Sequence, residues 1–200
     1  VTDDLEQADA ILVNTCGFIN DAKKESIDRI FDMARFIDDK QTASGSRPLL
    51  IVTGCLSQRY GGDLFEEMPE VDIFLGVNDY EKLPEIARNL KQGERKQVFS
   101  CEPTVFEEFS ARNIQDNPYS MTVRIAEGCN NCCAYCVIPQ IRGRYRSRPI
   151  ENIVSEATEL AGKGCRELIL IAQDVTEYGR DLYGSLKLPE LLRKLCRING

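Results

Sequence analysis

Ala8-Asp9-Ala10-Ile11-Leu12-Val13-Asn14-Thr15-Cys16-Gly17 and Leu49-Leu50-Ile51-Val52-Thr53-Gly54-Cys55 decide the fold, because each is a short apolar run that gives way to Thr, Gly and Cys. Runs of this length bounded by turn residues read as buried strands. Between them a helix is expected from about Asp21, with Ala22, Ile27, Ile30, Phe31, Ala34 and Ile37 at helical spacing along one face. Loop residues from Thr42 to Pro48 then lead into the second strand, Leu49 to Val52. A third unit runs from a strand at Val71 to Leu75 through Gly76 to a helix carrying Leu83, Ile86 and Leu90, where Pro84 is tolerable only in the first turn. Strands alternating with helices build a parallel sheet, so residues 1–96 are expected to form an α/β domain with an open parallel sheet. In such sheets the carboxyl ends of neighbouring strands meet at one edge, where ligands bind. Cys16 and Cys55 both fall at that edge. Either alone reads as a small buried residue at a strand end; two equivalent positions favour a shared ligand.

From Lys91 to Pro118 the sequence turns polar and irregular around one short strand at Gln97 to Ser100, so residues 97–118 are expected to be a linker. A new unit opens at Tyr119. Its strand, Met121 to Ala126, runs into Glu-Gly-Cys and a cysteine-rich loop, followed by a helix from near Pro149 with Ile150, Ile153, Val154, Ala157, Leu160 and Ala161 on one side. Gly162 and Gly164 end it; a buried-type strand, Leu168 to Ala172, a polar turn and a helix from about Pro189 through Leu191, Leu192, Leu195 and Ile198 complete residues 119–200. Two strand-helix units cannot close a barrel of six or eight, and a lone pair leaves a sheet edge open. The chain is therefore expected to be a fragment cut within its second domain. The missing initiator methionine suggests a cut at the start as well.

Composition narrows the chemistry. With 200 residues, 42% of them hydrophobic, the chain can bury roughly 70% of its unfolded surface without disulfide staples, which leaves nine cysteines for other work. No apolar run approaches the ~20 residues of a membrane span, and the N-terminus lacks the basic and apolar regions of an export signal. A net charge of −7, from 25 basic and 32 acidic residues, does not favour broad capture of nucleic acid. The absence of histidine removes Ser-His-Asp and Cys-His nucleophiles and histidine-dependent zinc sites. The chemistry must rest on cysteine.

Gly128-Cys129-Asn130-Asn131-Cys132-Cys133-Ala134-Tyr135-Cys136-Val137-Ile138-Pro139 places Cys129, Cys133 and Cys136 in a C-x3-C-x2-C array. Three thiolates on one tight loop can hold three irons of a 4Fe-4S cube and leave the fourth open to a substrate or cofactor. Cys132 permits a second reading as two abutting zinc knuckles, although knuckles are normally separated by a dozen or more residues. A non-catalytic iron-sulfur or zinc-binding module therefore stays open on spacing alone. A disulfide cluster fits an odd cysteine count and a missing signal peptide poorly. Arg142, Arg144, Arg146 and Arg148 follow within seven residues and could bind a carboxylate in bidentate fashion or form a solvated face. Gln173 and Asp174 stand at the carboxyl end of a strand, as active-site groups or as turn formers. Cys101, Cys165 and Cys196 match no cluster motif and read as reduced structural thiols, with Cys132 an exposed neighbour.

The array, with Tyr135 just before its last cysteine, resembles the signature of radical S-adenosylmethionine (SAM) enzymes. The wider set Asn14-Thr15-Cys16-Gly17, Thr53-Gly54-Cys55, Glu127-Gly128-Cys129-Asn130, Ile138-Pro139, Arg142-Gly143 and Ser147-Arg148-Pro149 resembles the methylthiotransferase family over nearly the whole chain. Ala172-Gln173-Asp174-Val175-Thr176, Tyr178-Gly179 and Asp181-Leu182-Tyr183-Gly184 are similar to the branch that methylthiolates an aspartate of small ribosomal subunit protein twelve; the tRNA-modifying relatives commonly carry Asn at Asp174. The resemblance implies a Rossmann- or flavodoxin-like methylthiotransferase domain followed by the start of a radical SAM partial (β/α) barrel of the TIM type. It implies two 4Fe-4S clusters. One, on Cys129, Cys133 and Cys136, binds SAM, whose adenine lies against Tyr135 unless that ring instead shields the cluster. Reductive cleavage of SAM then yields a 5′-deoxyadenosyl radical that takes hydrogen from an unactivated carbon. The other cluster, on Cys16 and Cys55 with a third ligand upstream of Val1, supplies methylated sulfur. The implied partners are protein twelve or the ribosome and a flavodoxin- or ferredoxin-like electron donor, for a monomer in the reducing cytoplasm. A tRNA adenosine methylthiotransferase is the alternative within the family.

Overall fold

Ala10–Thr15 (β1) and Leu49–Gly54 (β2) run parallel in one register, from Ala10 opposite Leu49 to Thr15 opposite Gly54. The computed structural model describes residues 2–91, 93–100 and 119–199, and the chain divides into two compact units, Val1–Pro103 and Thr104–Gly200. In the first unit Ile73–Leu75 (β3) and Lys96–Val98 (β4) extend the sheet in the order β1-β2-β3-β4, every pair parallel. Asn20–Ser44 (α1), Cys55–Glu67 (α2) and Leu83–Asn89 (α3) make the crossovers. Side chains alternate across a strand. Leu50 and Val52 therefore join Ile11, Val13, Ile30, Ile37 and Leu56 in one core, while Ile51 joins Ile73 and Leu75 in another, beside Leu83 and Ile86. Both faces of the sheet are covered, as parallel sheets require.

Three features depart from the sequence pattern. Helix α1 runs through the expected loop to Ser44, because the Thr42 and Ser44 hydroxyls donate back to the carbonyls of Asp38 and Lys40, both at 2.9 Å, before Gly45 closes the helix at φ +73°. Helix α2 was not marked by the sequence at all: Ser57, Gln58, Gly61 and Gly62 break its apolar period. Gly61 is small because the Phe99 ring fills the space its Cβ would take. The strand expected within the linker is an edge strand of the first sheet. The chain just beyond it is tied back to the fully buried Asp79, which accepts from the Ser100 N–H at 2.8 Å and the Ser100 hydroxyl at 2.5 Å and pairs with Lys82 at 2.7 Å. Burial raises the Asp79 carboxyl, but these donors outweigh it and hold it below the ordinary value. The rest of the expected linker, 101–118 with Cys101, lies outside the described residues.

In the second unit Ser120–Arg124 (β5) pairs in parallel with a later strand across a right-sized helical crossover. Between them come Ala126–Glu127 (β6), Ile138–Arg142 (α4), Arg146–Ser147 (β7) and Ile150–Gly162 (α5), and the partner strand is Glu167–Ile171 (β8). Arg180–Tyr183 (α6) and Leu188–Leu195 (α7) follow. Val123, Ile125, Ile150, Ile153, Leu160, Tyr178 and Leu191 form the core. Strand β8 is not buried throughout: Leu168 and Leu170 pack into that core, whereas Ile169 and Ile171 are 46% and 43% exposed. Among the described residues only one face of this two-stranded sheet carries helices. Phe31, expected on the buried face of α1, is likewise 37% exposed, and Ser26 and Met33 are buried instead.

Candidate metal centre

The register of β1 and β2 fixes the first pair of thiols. Because Thr15 stands opposite Gly54, Cys16 and Cys55 are the next residues out of two adjacent parallel strands, whose spacing is about 4.8 Å. Two glycines make this approach possible. A Cβ on Gly17 would lie 2.7 Å from the backbone carbonyl of Cys55, and one on Gly54, at φ +104°, would lie 2.3 Å from the Thr15 oxygen. Ser26 accepts from the Cys16 N–H at 3.0 Å, and Arg59 donates to the Gly17 carbonyl at 3.1 Å. Cys16 is exposed and Cys55 half-buried as the first residue of α2. Gly54→Ala combines a backbone conformation that L-residues avoid with a clash against main chain. We expect it to destabilise the first unit by about 3 kcal/mol, measured by urea unfolding; unchanged stability would refute this account of the edge.

The second set is held on a stem. Strands β6 and β7 pair antiparallel, Ala126 with Ser147 and Glu127 with Arg146, and enclose residues 128–145. Gly128, at φ +79°, packs where a Cβ would meet the Arg144 oxygen at 2.2 Å, and the Cys129 N–H donates to the Gly143 carbonyl at 3.2 Å. Residues 128–133 have no regular secondary structure, and a turn follows in which the Cys136 N–H donates to the Cys133 carbonyl at 3.0 Å. Cys129 is buried, Cys136 half-buried and Cys133 exposed; all eight described cysteines are thiols and none is in a disulfide. Among the described residues no three Cys, Asp or Glu side chains converge as closely as a single metal ion requires. An iron-sulfur cube takes one thiolate per iron, a wider spacing, and a donor set of three thiols on one stem-anchored loop fits it.

The surrounding residues divide differently from the sequence reading. The four arginines are not one anion site. Arg148 is buried and donates to Glu156 at 2.7 Å and to the Arg124 carbonyl at 2.7 Å; Arg142 pairs with Glu127 at 3.3 Å; Arg146 bonds the carbonyls of Arg142 and Arg144 at 3.4 Å; Arg144 is exposed. Glu127, which sequence reasoning missed, is buried and also accepts from Arg124 and from Gln173 Nε2 at 3.0 Å. Asp174 does form a turn, capping residues 175–177 through the Thr176 N–H at 3.0 Å, and also accepts from Asn131 Nδ2 at 3.0 Å. The Thr176 hydroxyl, which donates to the same carboxylate at 2.6 Å, is the first cause holding it below the ordinary value. Tyr135 is 86% exposed, an open aromatic face beside the last cysteine of the array. Cys165 is buried and bonded to the Glu167 carbonyl at 3.1 Å, in keeping with a structural thiol, whereas Cys132 and Cys196 are exposed.

Residues 1–76 match the model described as "Uncharacterized protein family UPF0004", and residues 123–199 match the "Radical SAM superfamily". Over its whole length the chain is 48% identical to the ribosomal protein uS12 methylthiotransferase RimO of Clostridium tetani, 50% identical to that of Clostridium perfringens and 49% identical to that of Geobacter sulfurreducens. The chain is similar over its whole length to radical SAM methylthiotransferases. It covers 44% of each of these relatives, so it spans a little under half the length of the curated methylthiotransferases it matches. A solved structure, the radical SAM methyltransferase TsrM from Kitasatospora setae, superposes with a TM-score of 0.55 at 15% identity, over 82% of this chain and 35% of that one. That likeness concerns the fold alone, and it agrees with the α/β class read from the alternating strands and helices. No helix among the described residues is long and apolar enough to cross a membrane.

Proposed function

We propose that this protein inserts a sulfur and a methyl group at the β-carbon of an aspartate in ribosomal protein uS12. The observation that carries the reading is the loop of three thiols, Cys129, Cys133 and Cys136, anchored on the β6–β7 stem in a chain about half identical to uS12 methylthiotransferases. A 4Fe-4S cluster bound there supplies the electron that cleaves SAM. The chain's own residues hold and shape the site: the three thiols ligate, the exposed Tyr135 ring offers a face for the SAM adenine, and the buried Glu127 fixes Arg142 and Gln173 at the rim. Cys16 and Cys55, brought side by side by Gly17 and Gly54, would hold a second cluster with a third ligand placed upstream of Val1 by the resemblance. A flavodoxin- or ferredoxin-like donor, a monomeric state and the reducing cytoplasm complete the proposal.

The test uses the full protein, reconstituted anaerobically with iron and sulfide and supplied with SAM and dithionite. It is offered uS12 and unmodified tRNA in separate reactions. The expected product is uS12 heavier by one methylthio group in place of hydrogen, on the aspartate alone. Methylthiolation of tRNA with none on uS12 would move the chain to the tRNA branch, a reading that the net charge of −7 disfavours.

A further inference from the structure

Two adjacent asparagines, Asn130 and Asn131, lie between the first and second cysteines of the array, and the sequence assigned neither a role. Each is held by a different residue, and both lines of bonds end on Asp174. Asn131 Nδ2 donates to Asp174 Oδ2 at 3.0 Å. Asn130 Oδ1 accepts from the Tyr145 N–H at 3.0 Å, and the hydroxyl of that same buried tyrosine donates to the Asp174 carbonyl at 2.8 Å. Asp174 is itself immobilised: its other carboxylate oxygen accepts from the Thr176 N–H at 3.0 Å and the Thr176 hydroxyl at 2.6 Å. The cysteine loop is thus clamped at residues 130 and 131 to the carboxyl end of β8, in addition to its stem at β6 and β7.

We propose that Asp174 is a positioning residue for the cluster loop, acting through Asn131 and through Tyr145 and Asn130 to set the separation of Cys129 from Cys133. The proposal rests on the reading of Cys129, Cys133 and Cys136 as ligands. A loop without regular secondary structure has no hydrogen-bond ladder to hold its shape. Its side-chain bonds must supply the order that a three-point ligand set needs, in the way outer-shell partners orient the ligands of other metal sites. The carboxylate suits this junction because it accepts from several donors at once. A neutral amide at 174 offers one oxygen and must divide it.

The polarity of the Asn131 to Asp174 bond supplies the test. Asn131→Asp sets two carboxylates against each other. Asp174→Asn is milder, because the Asn131 amide can turn over and accept. The double variant Asn131→Asp/Asp174→Asn restores one amide and one carboxylate with donor and acceptor exchanged. Each is made in the full protein and read in two ways: iron release to a chelator after reconstitution, and amide hydrogen exchange over residues 128–133 before it. Asn131→Asp should release iron about tenfold faster than the parent and exchange faster, with global melting little changed. The double variant should return to within about threefold of the parent on both measures. Unchanged exchange and release in Asn131→Asp, or a double variant as labile as Asn131→Asp, would overturn the proposal. A parent that binds no iron would instead refute the ligand reading, while the exchange data would still decide the clamp.

Discussion

Cys133→Ala in the full, reconstituted protein is expected to abolish SAM cleavage and to remove about four irons per chain, while Cys196→Ala leaves both unchanged. The difference follows from position. Cys133 is the middle member of a set of three, and a cube bound at three corners with its fourth iron open has no spare protein ligand to substitute. Cys132 is adjacent, but its thiol is exposed and turned to the Asn130 carbonyl at 3.9 Å. Cys196 follows the last turn of α7 and belongs to no cluster motif. Iron and sulfide analysis with a visible spectrum, set against a Cys129, Cys133, Cys136 triple-alanine baseline, makes the measurement. Full iron and full cleavage in Cys133→Ala would refute the assignment, and zinc without iron in the parent would leave a structural metal module.

What the sequence made legible was local. Apolar runs ending in Thr, Gly and Cys marked β1 and β2, and the period of Ile150, Ile153, Ala157 and Leu160 marked α5, because in each case burial against one face dictates residue type at a fixed interval. The edge position of Cys16 and Cys55 followed from topology, which a strand-helix alternation nearly determines. Helix α2 was lost because its interior is shaped by a ring from elsewhere, Phe99 against Gly61. The clamp on the cysteine loop was lost for a related reason. Asn131 and Asp174 are 43 positions apart, and an exposed Asn in a polar loop carries no mark of the partner it will meet. The arginine run misled in the opposite direction: four like charges close together look like one site, and only tertiary structure shows that each has a different destination.

Arg148→Met should therefore damage folding before it damages any ligand contact, and the expected cost is about 3–5 kcal/mol in chemical denaturation of the second unit. Both partners of the Arg148 to Glu156 pair are buried, at a separation of 2.7 Å. Removing the guanidinium takes from the buried Glu156 carboxylate the cation that it pairs with at 2.7 Å, and that loss is the main term. The guanidinium also satisfies the Arg124 carbonyl at the end of β5 and Asn152 on α5, so it joins the strand that leads into the cysteine loop to the helix behind it. Pairing Arg148→Met with Glu156→Leu removes the buried carboxylate as well and should recover most of the loss. The Arg124 carbonyl stays without its donor, which leaves a residual of about 1–3 kcal/mol. If Arg148 instead served chiefly to bind an anion at the surface, Arg148→Met would leave the unfolding free energy within about 0.5 kcal/mol of the parent, and adding Glu156→Leu would only lower it. The sign of that second step separates a structural arginine from a ligand-binding one.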